Sequence, residues 1–161
     1  MHLVNGNFLE ALNYSNSLVV APTNGVIVNG HLVMGAGAAK ALQNRFNRLS
    51  KALGQAIAAQ HQPVGGVYTY YFEPICYYDD DGRLFNLAAF QTKYHWRHPA
   101  DLALLARSAE HLAQHLFDCP ELTAHMAFPG VGLGRLNPKQ VLAALETPLQ
   151  SVKNRVYLYY L

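Results

Sequence analysis

The sequence is poor in charged residues, and the few that it has nearly balance. Only 14% of its 161 residues are Asp, Glu, Lys or Arg, and the net charge is +2 with histidine neutral. So small an excess argues against a protein that binds DNA or RNA without specificity, because such proteins carry a pronounced basic surface. It would not repel an anionic ligand.

Cysteine is also scarce. The two cysteines, Cys76 and Cys119, lie far apart and form no CxxC pair. This excludes a disulfide framework and predicts two reduced thiols, as is typical of cytoplasmic proteins. Because no histidine lies near Cys76 in the sequence, we do not expect it to act as a nucleophile.

Long apolar runs are absent as well. No segment approaches the ~18 uninterrupted apolar residues of a membrane-spanning helix. The first residues, MHLVNG, contain no basic stretch followed by an apolar one, so no signal peptide is expected. The sequence therefore predicts a cytoplasmic protein with no membrane partner.

Apolar residues are nevertheless abundant, at 51% of the chain. This share excludes disorder, and the length is sufficient for a large core without cross-links. Since no internal repeat or low-complexity linker interrupts the chain, we expect one domain that covers residues 1–161.

Strand and helix patterns alternate along the chain. Strands are predicted at residues 17–23, 84–90, 122–128 and 156–161, and residues 67–72 and 75–78 are also β-prone. The turn that begins at Asp79 predicts a hairpin-like return between two of these segments. We therefore predict the α/β class, with a mixed, largely parallel sheet and helices on both faces.

Three helices are predicted between these strands. The first is indicated by the spacing of Ala38, Leu42, Phe46 and Leu49. A second is expected to contain Pro99 in its first turn, with Asp101 near its positive end, and to continue to Phe117. The pair Asn137 and Pro138 opens the third.

Two segments, residues 21–42 and 127–141, share the pattern of a strand, a glycine-rich turn and a helix. Their central residues are Met34, Gly35, Ala36 and Gly37 in the first, and Gly130, Val131, Gly132, Leu133 and Gly134 in the second. Neither matches the Walker A or the dinucleotide-binding pattern. Glycine lets main-chain N–H groups approach phosphate oxygens closely at the start of a helix. Two such segments predict a diphosphate held from both sides, with Val131 and Leu133 anchoring the second segment. Both segments could also be ordinary tight turns.

Two motifs suggest a metal site only weakly. Three adjacent acids, Asp79 to Asp81, precede a glycine, which is typical of a solvated turn. His111 and His115 lie four residues apart on a helix, but no glutamate follows His111 and no third ligand is evident. We therefore expect no metal, and no cofactor is indicated.

Two further motifs, Gly6-Asn7-Phe8-Leu9 and Thr23-Asn24, precede the central residues of the two glycine segments along the chain. The order of these four motifs resembles that of the macrodomain family, the α/β/α modules that bind ADP-ribose. The resemblance spans nearly the whole chain. Its most specific part is the segment Gln91-Thr92-Lys93-Tyr94-His95-Trp96-Arg97, which is similar to a Thr-Lys-x-His-Trp-Arg segment of the DNA ADP-ribosyl glycohydrolase antitoxins (DarG). The terminal ADP-ribose protein glycohydrolases also have a lysine after this strand. The resemblance implies a three-layer α/β/α macrodomain.

The resemblance also implies the positions of the ligand-binding residues. The two glycine segments would surround the diphosphate and the distal ribose, and Asn24 would contact the hydroxyls of that ribose. Asn7, beside Phe8, stands where many macrodomains carry an aspartate that binds the adenine amino group. An asparagine oxygen can accept the same hydrogen bond without the charge.

Lys93 is the implied catalytic residue. A lysine amine can attack the anomeric carbon of ADP-ribose and form an imine-type intermediate with the opened sugar. Such an amine must be partly neutral, and Arg97 is one candidate for a neighbouring cation that would favour the neutral form. Alternatively, Lys93 is an exposed loop residue or a simple phosphate contact.

One departure separates the two kinds of glycohydrolase. The protein glycohydrolases have an aspartate in the second glycine segment, where this chain has Gly134. The missing acid favours the antitoxin type.

Three residues after Lys93 are candidates for the substrate side of the site. His95 would border the pocket, Trp96 would stack on a base or ribose, and Arg97 would meet a phosphate. The alternative is a Trp96 packed in the core beside a surface histidine and arginine.

The predicted function is hydrolysis that releases ADP-ribose from a modified macromolecule, with a nucleobase in DNA as one candidate target. Two alternatives remain open: a non-catalytic reader of ADP-ribose, and an ADP-ribose 1″-phosphate phosphatase.

Overall fold

The computed structural model describes all residues, 1–161. It contains a central six-stranded sheet in the order β1-β8-β7-β2-β6-β5. The strands are β1 (His2–Asn5), β2 (Ser17–Thr23), β5 (Phe72–Tyr78), β6 (Leu84–Gln91), β7 (Thr123–Ala127) and β8 (Val156–Tyr160), and a separate small hairpin pairs β3 (Ile27–Val28) with β4 (His31–Leu32). Within the six-stranded sheet, only β5 runs antiparallel to its neighbour. The predicted mixed, largely parallel sheet is confirmed.

Helices cover both faces of this sheet. They are α1 (Gly37–Arg45), α2 (Leu49–Gln60), α3 (Leu102–Asp118) and α4 (Pro138–Glu146). Consecutive residues of a strand point to opposite faces, so in β2 Val19 packs into the core beneath α1 and α2. Leu18 and Val20 pack into the core beneath α3 and α4. Because both faces are covered, β2 is almost entirely buried.

The first predicted helix is in fact two helices. Residues Ala38, Leu42, Phe46 and Leu49 keep helical spacing, but α1 ends at Arg45 and α2 begins at Leu49. Phe46 leaves the helical conformation, and its ring packs 4.9 Å from the rings of Tyr77 and Phe85. All four apolar side chains face one core, so their spacing does not reveal the break.

Two element boundaries and one unpredicted strand also differ from the predictions. The β-prone stretch at residues 67–72 is a loop as far as Tyr71, and the strand starts at Phe72. Strand β1 was not predicted, because its residues are mostly exposed at the sheet edge. Pro99 lies before α3 rather than in its first turn, since the carboxylate of Asp101 caps the helix by accepting from the N–H of Leu104.

None of the helices combines the length and the apolar character that crossing a membrane requires.

Candidate functional site

A cavity of about 950 Å³ lies at the edge of the sheet where β2, β6 and β7 end. The carboxyl ends of parallel strands are where ligands bind in open α/β sheets. The predicted residues that line this cavity are Asn24, Met34, Gly35, Ala36, Gly37, Lys93, Trp96, Arg97, Gly130, Val131, Gly132, Leu133 and Gly134. The fold thus brings together the two glycine segments and the segment that follows Gln91.

The first glycine segment leads into the N-terminus of α1. Ala36 occupies the N-cap position, and no side chain caps this helix. Gly37 has a φ of +57°, and a Cβ at Gly35 or at Gly37 would meet no atom within 4 Å. The N–H groups of the first helical turn have no partner within a helix, so they are available to an anion in the cavity.

The glycines of the second segment serve different purposes. A Cβ at Gly130 would lie 2.9 Å from Leu136, and one at Gly134 would lie 3.1 Å from the Cβ of Ala100. Both glycines therefore permit close packing beneath the segment. Gly132, by contrast, has a φ of +62° and open space where a Cβ would be. It is the glycine that keeps the cavity open.

The anchoring of the second segment differs from the prediction. Val131 packs against the core, but Leu133 is 64% exposed and anchors nothing. The main chain does the anchoring instead, because Gly134 accepts a hydrogen bond of 2.8 Å from the N–H of Ala100.

We predict that Gly132→Glu abolishes ligand binding while the protein stays folded. The new side chain and its negative charge would enter the space that a diphosphate needs. Calorimetric titration with ADP-ribose measures the loss. Gly65→Glu is the matched control, since Gly65 also has a positive φ (+58°) and open surroundings but lies outside the cavity. Wild-type affinity in a folded Gly132→Glu protein would mean that the segment is only a turn.

Lys93 lies just beyond the end of β6, and hydrogen bonds fix the main chain around it. Thr92 donates to the carbonyl of Thr23 (2.9 Å) and accepts from the N–H of Asp101 (2.8 Å), while Gly25 donates to the carbonyl of Tyr94 (2.9 Å). The Lys93 side chain is half-buried and lines the cavity. Its main-chain position is thus fixed from both sides.

The surroundings of Lys93 shift its amine toward the neutral form. Burial lowers the pKa of the Lys93 amine, and the positive charge of Arg135 lowers that pKa further. The sequence suggested Arg97 as this cation, but the structure assigns the effect to Arg135. Arg135 adopts a left-handed conformation, with a φ of +64°, immediately after the second glycine segment. No local pattern links it to Lys93, so only the fold reveals the pairing.

Cations alone determine the charge of the cavity wall. Its ionisable side chains are Lys93, Arg97 and Arg135, and no Asp or Glu is among the lining residues. None of the three forms an ion pair. Such a wall favours an anionic ligand with more than one negative charge.

Asn24 shapes the loop beside the cavity. Its side chain is buried, its oxygen accepts from the N–H of Val26 at 2.9 Å, and its NH₂ donates to the carbonyl of Val33 at 3.1 Å. One N–H of the amide remains for a ligand.

The candidates on the substrate side are arranged as a partly exposed turn. Trp96 lines the cavity and is 47% exposed, so it is not a core residue. The guanidinium of Arg97 lies over its ring at 4.7 Å. His95 does not line the cavity, but its Nδ1 accepts from the N–H of Arg97 at 3.1 Å and so helps to shape the turn.

Asn7 and Phe8 lie outside the cavity. Asn7 follows β1 at the same edge of the sheet, and its side-chain oxygen accepts from the N–H of Leu9 at 3.0 Å. Phe8 is buried in the core. An adenine contact at these two residues therefore remains a prediction.

The weak metal motifs have structural roles. The carboxylate of Asp79 accepts from the N–H groups of Asp81 and Arg83 and so forms a turn. His111 stacks on Tyr71 and His115 packs against Phe72. No group of three or more potential metal ligands occurs. Both cysteines are free, as predicted.

Comparison with known proteins finds similarity in structure alone. No family model matches the sequence, and no curated protein matches it. The macrodomain of Mycobacterium tuberculosis DarG is 23% identical, with a TM-score of 0.73 over 98% of this chain and 96% of that one. The macrodomain of Thermus aquaticus DarG is 22% identical, with a TM-score of 0.71 over 99% and 97%. Thermosipho africanus DarTG in complex with ADP-ribose is 20% identical, with a TM-score of 0.69 over 98% of this chain and 40% of that one.

Proposed function

We propose that this chain, which has the macrodomain fold, binds ADP-ribose and hydrolyses an ADP-ribosyl linkage with Lys93 as the nucleophile. The observation that carries the proposal is a single cavity with two glycine segments, three unpaired cations and no acid in its wall. The structural likeness to a DarTG protein in complex with ADP-ribose supports the ligand.

The diphosphate fits between the two glycine segments. The uncapped N-terminus of α1 offers N–H groups from one side. The open space at Gly132 admits the phosphates from the other. Arg97 and Arg135 supply positive charge, and the remaining N–H of Asn24 can donate to a ribose hydroxyl. ADP-ribose carries these groups together.

Lys93 is suited to attack at the anomeric carbon. The neutral amine forms a bond to C1″ with its lone pair, and the bond from C1″ to the modified group breaks and leaves its electron pair on that group. The proton lost from the nitrogen passes through water to the leaving group. Opening of the ribose ring gives an imine, which water then hydrolyses to ADP-ribose and free lysine. The lowered pKa of Lys93 supports this role.

The modified target is proposed to be a macromolecule, with a nucleobase in DNA as the first candidate. The likeness to DarG macrodomains supports that choice. Trp96 is exposed at the cavity and could stack on a base. A non-catalytic reader is the second candidate, and the absence of a carboxylate acid or base from the cavity favours it.

Binding is tested by calorimetry. We expect ADP-ribose to bind with a stoichiometry of 1:1, with AMP and ribose phosphate weaker because each offers only part of the ligand. At a ligand concentration 100 times Kd, binding should stabilise the native protein by about 2.7 kcal/mol. No heat and no thermal stabilisation at millimolar ADP-ribose would overturn the whole proposal.

Catalysis is tested by a parallel panel of ADP-ribosylated DNA, ADP-ribosylated protein and ADP-ribose 1″-phosphate. Release of ADP-ribose from DNA alone supports the proposed target, and release from protein alone corrects it. Turnover of the phosphate alone indicates a phosphatase. Binding without any release identifies a reader.

The rate of hydrolysis should depend on pH through Lys93. The neutral fraction of the amine grows as the pH rises, so the rate should rise and then level off below the usual pKa range of lysine. Arg135→Gln removes a positive charge, which should raise the pKa of Lys93 and move the rising limb to higher pH. Arg135→Lys should retain the wild-type profile. An unchanged limb in Arg135→Gln would contradict this electrostatic role.

A further inference from the structure

Gln91 is fully buried two residues before Lys93, and its side chain bonds only to the main chain. Its oxygen accepts from the N–H groups of Tyr70 (2.9 Å) and Tyr71 (3.1 Å). Its NH₂ donates to the carbonyls of Tyr68 (2.9 Å) and Lys93 (3.3 Å). One amide therefore joins the main chain of Lys93 to the loop at residues 68–71.

Tyr70 extends this connection to the first ligand-binding loop. Its ring is fully buried, and its hydroxyl donates to the carbonyl of Asn24 at 2.7 Å and also bonds to the hydroxyl of Thr23. Asn24 and Thr23 both line the cavity. A continuous buried network thus runs from Lys93 through Gln91 and Tyr70 to Asn24.

The loop between these residues is held in an unusual conformation. Tyr71 has a φ of +64°, which is a genuine outlier for a bulky residue. Gln91 binds it through its side chain and also donates from its own main-chain N–H to the carbonyl of Tyr71 at 2.7 Å. Arg107 and His111 of α3 lie over the Tyr71 ring at 5.1 and 4.8 Å. A conformation held from two elements indicates a fixed geometry rather than a mobile loop.

We infer that Gln91 is a positioning residue, whose amide, acting with Tyr70, fixes the main chain of Lys93 relative to the Asn24 loop. The amine then keeps one distance from the ribose that this loop binds. This inference rests on the proposed function, since it concerns the efficiency of the Lys93 reaction. A small misplacement of a reacting group lowers the rate far more than it lowers the affinity.

Gln91→Glu tests the inference with little change of size. The acid can still accept from Tyr70 and Tyr71, but even when protonated it offers only one O–H donor to the carbonyls of Tyr68 and Lys93, in place of the two N–H donors of the amide. We expect kcat to fall by about 10-fold to 100-fold, with KM and the Kd for ADP-ribose within about threefold of wild type. Tyr70→Phe removes only the hydroxyl and should lower kcat by about threefold to tenfold.

Ser108→Ala is the matched control. Its buried hydroxyl donates to the main-chain carbonyl of Gln91 at 2.7 Å, so the variant loses a buried hydrogen bond to the same residue but leaves the network intact. Its Tm should fall, whereas its kcat should stay within about twofold of wild type.

Reductive trapping of free ADP-ribose by borohydride measures adduct formation at Lys93 without a modified macromolecule. If wild type neither traps ADP-ribose nor hydrolyses any substrate, the proposed function fails. If wild type reacts and the folded variants match its rates, the positioning role is wrong. An equal loss of kcat in Ser108→Ala would also overturn it, since destabilisation would then explain the effect. If Gln91→Glu does not fold, Tyr70→Phe decides.

Discussion

Lys93→Arg should abolish hydrolysis while ADP-ribose still binds. Arginine keeps the positive charge and can contact phosphate, but it stays protonated and cannot attack a sugar carbon. We expect kcat to fall by about 10³-fold or more, as is usual when a nucleophile is removed. The Kd for ADP-ribose should change only a few-fold, because we propose that the glycine segments and Asn24 provide most ground-state contacts. Hydrolysis assays and calorimetry measure the two effects.

Lys40→Arg is the control for this substitution. Lys40 is exposed on α1 and does not line the cavity, so the variant should keep wild-type activity. The wild-type protein should also yield a borohydride-trapped adduct that Lys93→Arg lacks. A fully active Lys93→Arg protein would falsify the nucleophilic role and favour a phosphate contact.

Gly25→Ala should cause a large loss of stability. A Cβ at this position would overlap the carbonyl oxygen of Tyr68 and lie 3.1 Å from that of Tyr94. Gly25 also donates to Tyr94 at 2.9 Å and accepts from Tyr68 at 2.8 Å, so neither neighbour can retreat without losing a hydrogen bond. We expect the free energy of unfolding to fall by about 3 kcal/mol, together with loss of ADP-ribose binding. Urea denaturation measures the first effect.

Gly35→Ala provides the comparison, since its Cβ would meet no atom within 4 Å and its φ is not positive. Its free energy of unfolding should stay within about 0.5 kcal/mol of wild type. If Gly25→Ala unfolds at the same urea concentration as the wild-type protein, the close approach of Gly25 to Tyr68 and Tyr94 is wrong.

Local sequence patterns were sufficient to predict much of the sheet. Strand β2 was predicted with its observed bounds, because its β-branched apolar residues form one short run that Pro22 closes. The hairpin between β5 and β6 was also predicted, since the Asp79 turn lies between two β-prone segments. Such signals come from neighbouring residues, which a sequence displays directly.

The missed features depend on contacts between distant parts of the chain. At the break, the ring of Phe46 packs against the rings of Tyr77 and Phe85, which come from distant strands. The loop that ends at Tyr71 is held by the side chain of Gln91, which overrides the β-propensity of its aromatic residues. The glycine segments and Lys93 could be predicted to line one cavity, but the effect of Arg135 on Lys93 could not, because the two residues lie far apart in the sequence and no local pattern links them.

The parallel pairing of β1 with β8 has a practical consequence for attaching the protein to a surface. Both strands run in the same direction as β7, whose end borders the cavity. Met1 therefore lies at the far end of the sheet, and Leu161 lies at the end that carries the cavity. A tether joined to Met1 leaves the cavity facing solution, whereas a fluorophore joined after Leu161 would sit on the cavity side and could report ligand entry.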